Sequence, residues 1–211
     1  MALLGAIYCL LMLTSCSKAY YGAMEKVGIH KRDILVERVE ESRDAQAEAQ
    51  AEFKSALEEF QSVVQLKESN LEKAYGKFKA EYEDCEDAAA EVSERIEAVE
   101  DVAQALFSEW RKELKLYQNQ DMRRSSQRQL TETKNRYNQM LRSMHQAEQS
   151  MEPVLLTFRD NVLFLKHNLN AQAIGSLQAE FSQLERRIGG LIKEMNLAIA
   201  SSDRFIAELK R

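Results

Sequence analysis

An unbroken heptad repeat constrains the fold of this chain more than any other feature. From residue 71 to 110 and again from 174 to 209, apolar positions recur at spacings that alternate between four and three. The first seam consists of Leu71, Tyr75, Phe78, Tyr82, Cys85, Ala89, Val92, Ile96, Val99, Ala103, Leu106 and Trp110. The second consists of Ile174, Leu177, Phe181, Leu184, Ile188, Leu191, Met195, Ala198, Ser202, Phe205 and Leu209. A period near 3.5 predicts long helices that pack as a left-handed coiled coil.

Two further stretches carry weaker versions of the same repeat. In residues 33–67, Ser42 and Gln46 interrupt the apolar stripe. Its apolar members are Leu35, Val39, Ala49, Phe53, Ala56, Phe60 and Val63. The stripe of residues 121–170 consists of Leu130, Tyr137, Met140, Met144, Ala147, Met151, Val154, Phe158 and Leu165. The pattern therefore predicts four helices in all.

Short polar segments at 67–70, 117–121 and 168–172 separate the four stretches. The residues expected to cap the helices are Asp33, Asn70, Asp121 and Asn170. Straight-chain helix formers dominate the sequence from residue 31 onwards, and short connections make consecutive helices antiparallel. The sequence therefore predicts an all-α fold, an elongated antiparallel four-helix coiled-coil bundle.

Unequal helix lengths predict a protrusion. The first helix spans about 35 residues and the second about 50, so the second overshoots by roughly 22 Å. The third overshoots the fourth at the same end, and residues near 107 to 131 should protrude as a helix 2–helix 3 hairpin. Its basic residues are Arg111, Lys112, Lys115, Arg123, Arg124 and Arg128. We expect this hairpin to contact a membrane or a protein partner, and a solvated hairpin is the alternative.

The amino terminus begins with an apolar stretch that ends at a cysteine. Residues 2–15 carry no charge, and they are fewer than the roughly 18 residues that a membrane-spanning helix needs. The stretch has the length of a signal-peptide core. "LTSC" at residues 13–16 resembles the bacterial lipobox, in which the cysteine is lipidated and a peptidase cuts directly before it. We therefore expect cleavage between Ser15 and Cys16 and a lipid on Cys16.

This interpretation divides the chain into three parts. Residues 1–15 form a lipoprotein signal peptide, 16–32 hold the lipidated cysteine and a tether, and 33–211 form the helical bundle domain. Ser17 after the cysteine, by resemblance to the sorting rule of Gram-negative lipoproteins, favours the inner leaflet of the outer membrane, facing the periplasm. A hydrophobic amino-terminal arm with an incidental cysteine is the alternative.

No set of residues in the sequence converges on catalysis. Cys85 lies on a heptad seam among acidic residues that raise a thiol pKa, which predicts a buried core residue; an intermolecular disulfide is the alternative. His30, His145 and His167 lack metal-ligand spacing, and no glycine-rich phosphate loop occurs. The net charge of −5 argues against affinity for nucleic acid. We expect no enzyme activity, no cofactor, no metal and no nucleic acid.

Residues 151–177 depart from simple amphipathicity because apolar side chains cover more than one side of the helix. Burial within the bundle explains this density, and a surface for a protein partner is the alternative. The candidate residues of that surface are Phe158, Arg159, Asp160, Lys166 and His167. Pro153 stands opposite Gly189 and Gly190 when the last two helices are folded back on each other. We expect a hinge there, in which the glycines either allow close backbone approach or let the helix follow a bend.

The stretch "PVLLTFRDNVLFLKHNLNAQAIGSL" at residues 153–177 also carries a family resemblance. Together with the lipobox and the helical pattern, it resembles an uncharacterised bacterial family, domain of unknown function twenty-nine fifty-nine. The resemblance implies a helical envelope lipoprotein and no catalytic residues.

We therefore expect a lipid-anchored, non-enzymatic scaffold or adaptor of the cell envelope. Its partners would be the membrane, through the lipid anchor, and an envelope protein or a second copy of the chain. One alternative is a bundle that binds a small ligand or lipid in a cavity lined by Met140, Met144, Met151 and Phe158. A further alternative, if residues 1–16 are retained, is a cytoplasmic coiled-coil accessory protein of the DNA-repair type.

Overall fold

The computed structural model describes Tyr21, Met24 and residues 28–65, 71–168 and 171–210. Cys16 and its expected cleavage site lie outside the described residues, and so do two of the expected caps, Asn70 and Asn170. For these positions the lipidation, cleavage and capping stay predictions.

Four long helices make up the secondary structure of the described residues. They are α1 (Lys31–Gln65, 35 residues), α2 (Leu71–Glu113, 43 residues), α3 (Gln120–His167, 48 residues) and α4 (Ala171–Leu209, 39 residues). No strand occurs among these residues, which confirms the predicted all-α class. None of the described helices combines the length and apolarity that a membrane crossing requires.

The heptad seams form the core. Every member of the α3 and α1 stripes is buried, and the same is true of most seam residues of α2 and α4. Tyr75, Leu106, Trp110 and Phe181 are partly buried and pack against the core. Ser42 and Gln46, which interrupt the α1 stripe, are fully buried as well. The apolar spacing in the sequence therefore identified the core-facing positions of all four helices.

Contacts between the helices link α1 to α2, α2 to α3, α3 to α4, and α4 back to α1. Their partners run in opposite residue order, as expected for antiparallel neighbours. Between α1 and α4, for example, Lys210 bonds Glu40 and Gln178 bonds the backbone of Val64. In each of the other pairs a residue from the first half of one helix contacts a residue from the second half of the other: Lys31 with Glu109, Tyr137 with Phe107, and Arg136 with Glu208.

Aromatic residues concentrate near the two ends of the core. Phe60 packs on Phe78 at 5.0 Å between ring centroids, and Phe78 meets the edge of Phe158 at 5.6 Å. At the opposite end, the ring centroid of Tyr137 lies 5.3 Å from that of Phe107 and 6.2 Å from that of Phe205. Between these clusters the core holds small and polar residues: Ser42, Gln46, Ala49, Ala89, Ala147 and Ala198.

Helix ends differ in detail from the predictions. His30 precedes α1, and its backbone N–H donates to Asp33 Oδ2 at 3.3 Å, so Asp33 supports the first turn from inside the helix. Asn119, not Asp121, caps α3, because its side chain accepts from the backbone N–H groups of Asp121 and Met122. A capping residue must precede the N–H groups that donate to it, and Asp121 is already in the first helical turn.

The hairpin between α2 and α3 is shorter than predicted, because α2 ends at Glu113 after 43 residues rather than about 50. Its excess over α1 is eight residues, or about 12 Å at 1.5 Å per residue. Lys31, the first residue of α1, reaches Glu109, and Phe107 packs within the core. Residues 107–110 of the predicted hairpin therefore lie alongside the other helices and do not protrude, and we call residues 111–128 the tip.

Candidate functional site

The tip is a tight helical hairpin. After α2 ends, Lys115 and Leu116 each donate a backbone hydrogen bond three residues back, at 3.1 and 2.8 Å. Asn119 Oδ1 then accepts from the N–H of Asp121 at 2.9 Å and of Met122 at 3.1 Å, which begins α3. The chain thus reverses within six residues, and its backbone hydrogen bonds define the shape of the turn.

Contacts at its base hold the tip in place. Trp110 Nε1–H donates to Ser126 Oγ at 2.8 Å, which joins α2 to α3 below the turn. Leu114, Ser126 and Leu130 are buried, and Leu114 and Leu130 belong to the hydrophobic core. The tip is therefore a pre-ordered surface rather than a loose loop.

Most cations of the tip are free of ion pairs. Arg124 pairs with Asp121 at 2.5 Å, and Arg111 Nε donates to the backbone of Phe107 at 3.0 Å. Among the described residues, none supplies a carboxylate within ion-pair distance of Lys112, Lys115, Arg123 or Arg128. Against six basic side chains the tip holds two acidic ones, Glu113 and Asp121. The tip therefore carries a net positive charge that its own contacts do not neutralise.

Apolar side chains also project from the tip. Leu116 is 74% exposed, Met122 58% and Tyr117 36%. Sequence reasoning identified the basic residues of the hairpin but missed Leu116 and Met122; the available signal was two large apolar residues inside a polar turn. The most exposed apolar side chains lie where the chain reverses.

A cleft of about 480 Å³ lies beside the base of the tip. Its apolar lining comes from Leu106, Trp110, Phe205 and Leu209. Its polar lining includes Arg32, Gln129 and Thr133, together with the ion pair of Arg136 Nε and Glu208 Oε2 at 2.7 Å. All four helices contribute to this cleft. By contrast, Met140, Met144, Met151 and Phe158, the residues expected to line a ligand cavity, are packed in the core with at most 2% exposure.

A second exposed surface runs along α3. Arg159, Asp160, Lys166 and His167 are exposed, as expected for a partner surface. Phe158 is instead completely buried, stacked on Phe53 at 6.4 Å, so it contributes nothing to that surface. Three other apolar residues are exposed there: Leu156 (41%), Leu163 (52%) and Phe164 (38%). The α3 surface comprises Leu156, Arg159, Asp160, Leu163, Phe164, Lys166 and His167, which share one side of the helix at 100° per residue.

Pro153 lies across from the part of α4 that precedes Gly189 and Gly190, and both glycines are exposed. Arg187 donates to the carbonyl of Pro153 at 3.4 Å and to Thr157 Oγ1 at 2.9 Å. However, a Cβ added to Gly189 or Gly190 would meet no atom within 4 Å. The expectation of close backbone approach at these glycines is therefore wrong, because the helices leave open space there. Both helices continue through the region, and a bend remains a prediction.

Cys85 and the carboxylates near it form a cluster that belongs to the packed interior of the protein. Cys85 is fully buried and free, and burial, with Glu52, Glu81 and Asp84 adding to it, raises the pKa of its thiol far above the ordinary value. The predicted core role of Cys85 is confirmed. Its neighbourhood also explains why the pKa of Glu52 is raised, first by burial and then by repulsion from nearby carboxylates.

His145 bridges α2 and α3, a role that the sequence did not reveal. Its Nδ1 lies 2.9 Å from Glu148 Oε2 and its Nε2 lies 3.3 Å from Glu100 Oε1. Burial alone would lower the pKa of His145, but the hydrogen bonds to both carboxylates outweigh it and raise the pKa. In the part of the chain that the structure describes, no three His, Cys, Asp or Glu side chains are grouped to hold a metal ion.

The described residues thus define an all-helical protein with a basic tip and a partly apolar α3 surface. Comparison with models of protein families matches residues 20–209 to a family described as a protein of unknown function (DUF2959). Because the match covers nearly the whole chain, the chain belongs to this family, as the resemblance at residues 153–177 predicted. No curated protein matches the chain.

Proposed function

We propose that this protein is a lipid-anchored, non-enzymatic scaffold or adaptor, held through Cys16 on the periplasmic side of the outer membrane. The lipobox at residues 13–16 carries the proposal, because it combines a cysteine, two preceding small residues and an uncharged stretch of signal-peptide length. Acyl chains contribute about 0.8 kcal/mol per buried CH2, so two or three of them suffice for stable anchoring.

The position of the amino-terminal segment fits such an anchor. Tyr21 OH donates to Asp101 Oδ2 at 2.9 Å, and Lys31 Nζ pairs with Glu109 Oε1 at 3.1 Å. The chain therefore enters the helices at the end that bears the tip. An anchor at Cys16 would place this end of an elongated antiparallel coiled-coil bundle, with its protruding hairpin, nearest the bilayer.

The same geometry would carry the α3 surface away from the membrane. Leu163 lies 43 residues after the start of α3, or about 65 Å along the axis at 1.5 Å per residue. Leu156, Leu163 and Phe164 would thus be presented deep in the periplasm. Exposed apolar side chains bordered by charges are typical of protein-binding surfaces, which supports a scaffold or adaptor role.

The non-enzymatic part of the proposal rests on what the reactive groups do. Cys85 is sealed in the core with a raised thiol pKa, and His145 is held by two carboxylates as a link between helices. Nucleophilic catalysis requires an accessible group whose pKa is lowered or whose proton is taken by a neighbouring base. The positions of Cys85 and His145 are explained by their contributions to the stability of the fold.

A second candidate is a bundle that binds a lipid or small amphiphile. The cleft lined by Leu106, Trp110, Phe205 and Leu209 favours it, since apolar walls bordered by Arg32 suit an anionic amphiphile. Native mass spectrometry of the purified protein distinguishes this candidate: a bound small molecule of constant mass supports it, and a ligand-free spectrum refutes it.

Metabolic labelling with a fatty acid tests the anchor. The unaltered chain should incorporate label and fractionate with outer membranes, and Cys16→Ser should abolish both. Cys9→Ser is the matched control, because it removes a thiol from the same segment but leaves the lipobox intact. Unlabelled wild-type protein in the cytosol would refute the proposed anchor and favour the cytoplasmic accessory role.

A further inference from the structure

We propose that the tip is a membrane-docking device that binds anionic phospholipid headgroups while Leu116 and Met122 enter the apolar layer beneath them. This inference deepens the proposed function and rests on it in two respects: which bilayer is bound, the one that holds the lipid anchor, and why a second copy is the poorer ligand. It assigns a ligand class to residues 111–128, where a cationic and an apolar surface coincide.

Electrostatics favour an anionic surface as the ligand. Lys112, Lys115, Arg123 and Arg128 have no ion-pair partner among the described residues, so their charge is available to phosphates. A bilayer of anionic lipid offers many phosphates at once, which suits a cluster of separate cations better than a single small anion does.

The apolar side chains explain why the ligand is a bilayer rather than an ion. Leu116 and Met122 expose 74% and 58% of their surface in the turn at the end of the hairpin. Tyr117 lies beside them and suits the headgroup region, because its ring is apolar and its hydroxyl is polar. Cations around apolar residues are the pattern of interfacial membrane binding.

A second copy of the chain is the competing ligand, since the body of the protein is acidic. An acidic groove formed by Glu48, Glu52, Asp84, Asp87 and Glu91 lies between α1 and α2. Glu91 is 19 residues from Trp110 along α2, however, or about 28 Å from the base of the tip. Copies anchored to one bilayer hold their tips at the same height, so the tip of one does not reach the groove of another. The bilayer is therefore the better ligand.

Tryptophan fluorescence in vesicles tests the docking, because Trp110 is the single tryptophan of the chain. Two full-length reporters share Trp110→Phe; one adds Leu116→Trp at the tip and the matched control adds Leu163→Trp on the α3 surface. Each is reconstituted in phosphatidylcholine vesicles with and without phosphatidylglycerol, using lipids brominated on the acyl chains as quenchers. We expect quenching of the tip reporter in anionic vesicles, reversal by high salt, and no quenching of the control reporter.

Charge reversal measures how much the tip cations contribute to docking. Lys112→Glu, Lys115→Glu and Arg123→Glu together remove three cations from the tip and should lower the docking equilibrium constant by at least about a hundredfold. Reversing Lys73, Arg186 and Lys193 to Glu changes the net charge equally at exposed positions away from the tip and should leave quenching unaltered.

Two results would overturn the inference. One is equal quenching of both reporters, or a tip signal that does not depend on anionic lipid or on the tip cations. The other is shielding of the tip reporter without lipid, together with a larger species in sedimentation, which would assign the tip to a second copy. Vesicle quenching does not require an acylated protein. A Cys16 that incorporates no fatty acid would therefore refute the anchor, and the quenching experiment would still decide whether the tip docks.

Discussion

Gln46 provides a quantitative test of how the core is built. Its side chain is fully buried in the middle of α1, and among the described residues neither its amide nitrogen nor its amide oxygen has a hydrogen-bond partner. Each unsatisfied buried polar group costs about 1–3 kcal/mol. Leucine has nearly the same length and no polar atom, so Gln46→Leu should raise the free energy of unfolding by about 2–4 kcal/mol.

Urea unfolding followed by circular dichroism measures the effect, which should appear as a higher midpoint with an unchanged slope. Gln50→Leu, one helical turn away, is the matched control. Gln50 Nε2 donates to the backbone of Ile192 at 3.2 Å and to Asn196 Oδ1 at 3.0 Å, so its replacement should give no gain and cost up to about 1 kcal/mol. A Gln46→Leu variant no more stable than wild type would refute the reasoning and show that the amide is satisfied by an internal water.

Three further perturbations have defined outcomes. Gly189→Ala and Gly190→Ala should each raise the free energy of unfolding by about 0.5–1 kcal/mol, since both positions are helical with open space for a methyl group; a loss in urea unfolding would show that the helix needs their flexibility. Because the pKa of His145 is raised in the folded state, its stabilisation is complete below the ordinary histidine pKa and is lost as pH rises through the raised value. Wild type and His145→Gln should therefore converge in stability at higher pH, and a constant difference in thermal unfolding across pH would contradict this. In a variant that lacks the other two cysteines, Cys85 should react with maleimide only after denaturant is added, because its side chain is buried. Rapid labelling of the folded protein, measured by mass spectrometry, would contradict this burial.

Much of the fold followed from one-dimensional spacing. The seam residues of all four helices are core residues because a heptad pattern determines which side of a helix is apolar, whatever lies opposite. The heptad stripe correctly included Phe158, and the partner-surface prediction is the one that failed there, because the ring packs inside against Phe53. Burial of Phe158 leaves Leu163 and Phe164 on the outside.

Features that depend on register between helices were not accessible from the sequence. The bridge from His145 to Glu100 joins residues 45 positions apart, and the isolation of Gln46 depends on what the three other helices place at its level. The hairpin was shorter than the predicted helix lengths implied, because α2 ends at Glu113 after 43 residues rather than about 50. The exposure of Leu116 became visible only once the turn was defined.

The intact mass of the protein extracted from its native cells tests the central claim most directly. An anchored lipoprotein should be recovered from the membrane fraction with Cys16 as its first residue and a mass increased by a diacylglyceryl group and an amide-linked acyl chain. A soluble polypeptide that retains residues 1–15 and carries no lipid would contradict the account.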